Sequence, residues 1–335
     1  MKKRKIAIIR GGPSDFRRSM KNGANVILSL SKYLDLIDVI DVSIDEENNW
    51  FEKGIPSDPH KVFSKTDFYI DFTNNKFAEY HNLSKKLNVK PIFQNDYSAL
   101  LNRVNVKRIL DQLQVDMPKY IVIREKNNLE HNLKAVWSKF HLPIVIKEVN
   151  HEFNEKSIVT YSFLEAFKKI NSILNKKGEV LLEEHIQGKY ISVATIPEYR
   201  GEELYIPTPI EVLNIDVTDK NINSKSLQNK CLIGHNCEKR SLIFIDNNIK
   251  EKIKHLVNDL HKTLFLNNYA MIDMVLIENI KNKEKKYILK ILDIHSSPNI
   301  FEDSRFDFIL KNSGVDIGRF ILDRIEKSEE EEKIF

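Results

Sequence analysis

Ala270-Met271-Ile272-Asp273-Met274-Val275-Leu276-Ile277 and Lys286-Tyr287-Ile288-Leu289-Lys290-Ile291-Leu292-Asp293-Ile294-His295 are the two stretches that decide how this chain reads. Both are strand-type runs, and the polar turn Glu278-Asn279-Ile280-Lys281-Asn282-Lys283-Glu284 joins them. A hairpin centred near Asn282 makes paired residue numbers sum to about 565, which sets Asp273 opposite Ile291 to Asp293. Asp293 and His295 lie two apart, so one strand face carries both. Facing acids destabilise a bare sheet by up to about 1 kcal/mol. Either a nearby Lys or Arg or a divalent metal must compensate them, and carboxylate oxygens suit Mg²⁺. In the plainer alternative Asp273 pairs with a surface Lys and His295 is an ordinary turn histidine.

The whole chain has room for about two domains in its 335 residues. Hydrophobic residues at 41% and charged residues at 30% exclude fibrous and disordered classes. The formal charge of +4 is too small to argue for nucleic acid or an anionic membrane as partner. The apolar run Ile6-Ala7-Ile8-Ile9 is short for a secretory signal. No stretch approaches the roughly 18 apolar residues of a membrane span. Two cysteines, Cys231 and Cys237, cannot build a disulfide framework. These features predict a cytoplasmic protein. Cys231, His235 and Cys237 lack the four-ligand spacing of a zinc site.

Upstream, Lys5 to Arg10 reads as a buried strand, Gly11-Gly12-Pro13-Ser14 as a turn, and Phe16 to Leu34 as a helix. Strands at Val39 to Ile44, Phe68 to Phe72 and Val89 to Phe93, with a helix over Phe77 to Leu87, predict a small parallel-sheet domain. A helix from Ala99 to about Gln114, capped by Ser98, carries Arg103 and Lys107 four apart, as a solvated face or a phosphate contact. Strands follow at Tyr120 to Ile123, Ile144 to Lys147, Ser157 to Tyr161 and Val180 to Glu184, with a helix over Phe163 to Leu174. Lys147 ends an apolar strand and must neutralise a phosphate or a structural acid unless it lies exposed. Tyr190 to Pro197 and Leu204 to Val212 form a predicted hairpin, Leu213 to Arg240 a long polar loop, and Asp246 to Phe265 and Phe306 to Ile325 helices. The Glu-rich end from Ser328 reads as a frayed tail.

Taken together, these elements resemble the ATP-grasp superfamily and, within it, the D-alanine–D-alanine ligases, over nearly the whole chain and in the family's order. Gly11-Gly12-Pro13-Ser14 with Ser19-Met20-Lys21-Asn22-Gly23 resembles the family's opening turn and helix. Ser98 to Lys107 with Val115-Asp116-Met117-Pro118 resembles its phosphate-touching segment, Arg103 replacing a lysine. Leu142-Pro143-Ile144-Val145-Ile146-Lys147 resembles the strand of the second nucleotide lysine, and Val180 to Gly188 the adenine hinge. Pro209-Ile210-Glu211 resembles the substrate-closing strand. Ile272-Asp273-Met274 and Leu292-Asp293-Ile294-His295-Ser296-Ser297-Pro298 resemble the magnesium strands, the strongest match.

The resemblance implies an α/β (α+β) ATP-grasp architecture: an N-terminal parallel-sheet domain over 1–97, then two α+β subdomains clasping nucleotide over 98–188 and 189–328, and an acidic tail over 329–335. It implies ATP contacts at Arg103, Lys147, Glu183, Glu184, Ile186 and Tyr190, with Glu183 taking the adenine amino group. It also implies Mg²⁺ or Mn²⁺ at Asp273, Asp293 and His295, and substrate contacts at Ser19 and Ser304. The expected activity is ADP-forming carboxylate–amine ligation through an acylphosphate, on an amino acid, by a possible homodimer. Departures support a second expectation, a catalytically impaired nucleotide-binding or regulatory relative. After Gly11-Gly12 the family's glutamate has no clean counterpart, Asp15 lying near it in a segment one residue short, and nothing from Phe72 to Asn82 reproduces its His-Gly and Gly-Glu-Asp-Gly stretch. The glycine-serine loop is Glu148-Val149-Asn150-His151-Glu152-Phe153-Asn154-Glu155 here, whose acids repel triphosphate. Tyr190 stands for the ribose glutamate, Met271 for an arginine and Asn299 for a glycine, while Asp293 and His295 stand for glutamate and asparagine ligands.

Overall fold

The computed structural model describes residues 3–13, 15–73, 79–93, 102–124, 129–149, 157–175, 178–214, 238–281 and 284–334. The first ninety residues give β1 (Arg4–Gly11), α1 (Phe16–Leu30), β2 (Ile37–Ile44), β3 (Trp50–Glu52), β4 (Ile55–Ser57), α2 (Pro59–Phe63), β5 (Phe68–Asp71), α3 (Glu79–Lys86) and β6 (Lys90–Pro91). Their sheet runs β4-β3-β2-β1-β5-β6, parallel from β2 to β6. Ile6, Ala7, Ile8 and Ile9 are all fully buried because both sheet faces are covered. Ile6 and Ile8 meet Val26 and Leu30 of α1, and Ala7 and Ile9 meet Trp50, Phe63 and Tyr80 on the other side.

The middle of the chain gives α4 (Arg103–Gln112), β7 (Tyr120–Ile123), α5 (Leu129–Lys139), β8 (Ile144–Glu148), β9 (Ile158–Thr160), α6 (Phe163–Asn175) and β10 (Val180–Glu184). The strands form an antiparallel sheet, β7-β10-β8-β9. The remainder gives β11 (Lys189–Tyr199), β12 (Glu202–Tyr205), β13 (Ile210–Asn214), β14 (Glu238–Leu242), α7 (Asn247–Thr263), β15 (Ala270–Lys281), β16 (Glu284–His295), α8 (Arg305–Asn312) and α9 (Ile317–Ile334). Its sheet runs β14-β13-β11-β15-β16, with β12 added to β11. Val106 and Leu110 of α4 share a core with Ile272 and Ile291 of this third sheet. Helix α4 therefore packs against the terminal hairpin where the second and third sheets meet.

Several expectations change. Asn102 caps α4, its side chain accepting from the Val104 and Asn105 amides, so the helix starts later than Ala99; Ser98 lies outside the described residues. Leu204 to Val212 is two strands, because Pro207 and Pro209 lack the amide hydrogens a continuous ladder needs. The predicted last helix is α8 and α9, broken at Gly314, whose φ is +64°. The acidic end is not frayed: α9 runs to Ile334, and Glu329 receives both Arg4 Nε and Nη2. Strands β15 and β16 extend to Lys281 and from Glu284, since an antiparallel ladder pairs backbone without requiring burial. Cys231, His235, Cys237 and most of the polar loop lie outside the described residues.

Candidate functional site

Helix α4 places Arg103 and Lys107 one turn apart on the side packed against the terminal hairpin. Both are buried, which excludes the solvated face. On the neighbouring sheet Lys147 pairs with Leu181, so Glu183 is its diagonal neighbour on the same face. Glu183 Oε2 lies 2.7 Å from Lys147 Nζ, and Glu183 Oε1 lies 2.7 Å from Lys107 Nζ. The two ammonium groups also donate to the Leu292 carbonyl of β16, at 3.2 and 3.4 Å. Exposure is 2% at Lys107, 5% at Lys147 and 1% at Glu183. Burial pushes the Glu183 carboxyl up, but the Lys147 and Lys107 charges outweigh it and hold it below the usual range. Burial pulls the Lys107 ammonium down against Glu183's opposing pull. Two cations sharing one carboxylate leave one positive charge in excess.

Beside them on the terminal hairpin, Asp273 and Asp293 are direct cross-strand partners, and the register shifts just after Asp273. Arg103 Nε donates to Asp293 Oδ2 at 3.1 Å, while its Nη1 donates to the Glu148 carbonyl at 2.6 Å. Asp273 Oδ1 accepts from Ser192 Oγ at 2.5 Å; its Oδ2 accepts from Arg305 Nη1 at 2.8 Å and lies 3.1 Å from His295 Nε2. Burial would raise the Asp273 carboxyl, yet Arg305 and His295 hold it well below the usual carboxylate range.

At the hinge, Glu184 Oε1 accepts from the Lys119 amide at 3.0 Å and from Lys290 Nζ at 3.3 Å. Tyr190 hydroxyl donates to the Ile186 carbonyl at 2.8 Å and lies 3.2 Å from His185 Nε2. Ser19 Oγ accepts from the Gly11 amide at 2.7 Å, and Ser304 Oγ caps α8 by accepting from the Asp307 amide at 3.1 Å. Lys147, Glu183, Arg103, Asp273, Asp293 and His295 are therefore brought together by a continuous run of contacts where the second and third sheets meet. Ser19 and Ser304 each hold a backbone amide.

A family profile described as D-ala D-ala ligase C-terminus matches residues 109–326, well over half of the chain. The chain belongs to that family. Among solved structures, this family member is similar to D-alanyl-alanine synthetase A from Vibrio cholerae, at 15% identity and a TM-score of 0.75 over 98% of both chains. VanG D-Ala:D-Ser ligase from Enterococcus faecalis aligns at 16% identity and a TM-score of 0.69, over 97% of this chain and 99% of that one. D-alanine–D-alanine ligase from Bacillus anthracis, complexed with ATP, aligns at 16% and 0.68, over 97% and 96%. No curated protein matches by sequence. These likenesses establish the ATP-grasp fold of the D-alanine–D-alanine ligases.

The resemblance implied a metal at Asp273, Asp293 and His295, and in this D-ala D-ala ligase family member that group does not fit the residues as they stand. Each aspartate already meets a guanidinium, and among the described residues no three acidic, His or Cys side chains converge as a ligand set. The Lys107, Lys147 and Glu183 cluster carries excess positive charge, which is complementary to an anion such as phosphate. Ser192 and Arg305, both on Asp273, escaped the sequence reading. Lys107 was legible beside Arg103 from its spacing of four, but its pairing with Glu183 was not. Arg305 carried no signal, standing at the start of a helix with no motif around it. Among the described residues no helix is long and apolar enough to cross a membrane.

Proposed function

We propose that this chain binds the polyphosphate of ATP where the second and third sheets meet, beside Lys107 and Lys147, and that it serves as a nucleotide-binding or regulatory relative of the ligases in which ligation is impaired. One observation carries the reading: two buried ammonium groups on two different elements share a single carboxylate, so the cluster is completed by an anion. Lys147 and Arg103 would hold phosphates beside Lys107. Glu183 would orient the two lysines and receive the adenine amino group on its remaining lone pairs. Carbonyls and amides near Glu184 and Ile186 would read the ring, with Tyr190 in the ribose position. The impaired half is supported by the arginines seated on both aspartates, by Met271 and by the acidic segment after Lys147.

The ADP-forming carboxylate–amine ligase, acting on D-alanine or another amino acid with Mg²⁺ as a homodimer, remains the second reading. It is favoured by the cross-strand pairing of Asp273 with Asp293 and by Lys147 reaching β16 at Leu292. Ser19 and Ser304 would then lie on the substrate side. One experiment separates the two: purified protein is titrated with ATP by calorimetry with and without Mg²⁺, then incubated with ATP, Mg²⁺ and a panel of D- and L-amino acids. Saturable ATP binding without amino-acid-dependent ADP release is expected. Multiple-turnover ligation would establish the second reading, and failure to bind ATP would remove the nucleotide site.

A further inference from the structure

Opposed carboxylates on neighbouring strands need a positive charge close by. Here each acid has its own: Arg103 on Asp293 at 3.1 Å and Arg305 on Asp273 at 2.8 Å. Both arginines are the first residue of a helix, α4 and α8 respectively. A cation at that end opposes the helix dipole, so a facing carboxylate is what stabilises it there. Arg103 is fixed further by its Nη1 bond to the Glu148 carbonyl and by its own amide, which donates to the Val149 carbonyl at 2.9 Å. Asp273 meets Ser192, His295 and Arg305, which engages most of a carboxylate's roughly four acceptor positions. Mg²⁺ needs near-octahedral oxygen contacts at about 2.0–2.1 Å, and both guanidinium groups would have to leave before an ion could approach.

We propose that Arg103 and Arg305 are resident counter-ions that take the electrostatic place of a divalent cation at the Asp273/Asp293 pair, so that the nucleotide-free protein does not bind Mg²⁺ or Mn²⁺. The proposal concerns the same site as the nucleotide reading and deepens it. Its readout needs no nucleotide, so the two can fail separately.

The test is a Mn²⁺ titration of the full chain without nucleotide, followed by the electron paramagnetic resonance signal of the free aquo ion. Five proteins are compared: wild type, Asp273→Asn, Arg305→Gln, the Arg103→Gln/Arg305→Gln double variant, and that double variant carrying Asp273→Asn. Wild type is expected to show no saturable site below about 1 mM, and the double variant a gain of about tenfold or more in Mn²⁺ affinity as the like-charged acids lose their partners. Asp273→Asn is expected to abolish that gain. A wild-type protein that takes up stoichiometric Mn²⁺, losing it on Asp273→Asn, would overturn the proposal, as would a folded double variant with no gain. If circular dichroism shows the double variant unfolded, Arg305→Gln carries the gain arm, because the Arg305 side chain is 27% exposed. The wild-type arm decides independently of either.

Discussion

Replacing Glu183 by Gln tests the buried charge excess directly. The substitution keeps the shape of the side chain and removes one negative charge from a site where Lys107 and Lys147 both lie 2.7 Å away and where all three residues are buried. Breaking a buried ion pair by removing one partner costs about 3–5 kcal/mol, because the other charge stays buried without compensation. Here two ammonium groups lose their carboxylate at once, so the upper half of that range is expected. Lys107→Met removes the excess charge instead: the apolar stem is kept, and Glu183 retains Lys147. Its cost should stay below about 1.5 kcal/mol, the usual range for a volume-conserving core change. Urea unfolding followed by Trp137 fluorescence, in a Trp50→Phe background that leaves one tryptophan, measures both variants. The sign of the pH dependence adds a check. Burial holds the Lys107 pKa low in the folded protein, so the unfolded chain binds more protons above that value. Stability attributable to Lys107 therefore rises as pH climbs toward the ordinary lysine range, and Lys107→Met abolishes the rise. If Lys107→Met destabilises as much as Glu183→Gln, the two lysines are not an excess over one acid, and the argument for an anion site fails.

Asp273 has a depressed folded-state pKa, so its contribution is intact above the unfolded value of about 4 and is lost as pH falls below it. Arg305→Gln should shrink that acid-dependent loss, and an unchanged acid limb in urea midpoints against pH would count against the Asp273–Arg305 pair. His261 on α7 is buried and pulled down to about 4 by desolvation. The unfolded chain then binds more protons between about pH 6.5 and 4, and stability should fall as pH drops through that window. His261→Leu should flatten the slope, and an unaltered slope would assign it to other groups. Gly318 of α9 sits where an added Cβ would lie 2.5 Å from the Ser29 carbonyl of α1. Gly318→Ala should therefore cost about 1–3 kcal/mol, measured as a lowered Tm; no change would mean the α1–α9 approach is loose.

What the sequence determined by itself was whatever local periodicity encodes. The strands Tyr120–Ile123 and Val180–Glu184 stand at their expected bounds, because runs of apolar and β-branched residues between turn signals define them without outside help. The register of the terminal hairpin was legible for the same reason: a polar turn of known position fixes which residues face each other, and Asp273 does face Asp293. Lys147 was legible as the cation ending an apolar strand. The cap of α4, the hairpin of β3 and β4 and the short helix α2 were not, since several residues there satisfy the same weak local rules and only tertiary packing chooses among them.

Tertiary structure alone decided which charges meet. Arg103 and Asp293 are 190 residues apart and Arg4 and Glu329 are 325 apart, so no spacing rule connects them. Whether the acid pair would be compensated by a metal or by basic side chains could not be read from the hairpin, because the answer depends on the starts of two helices that pack against it. A Coulomb interaction is set by distance and desolvation, and both are fixed only when helices α4 and α8 are laid against the third sheet.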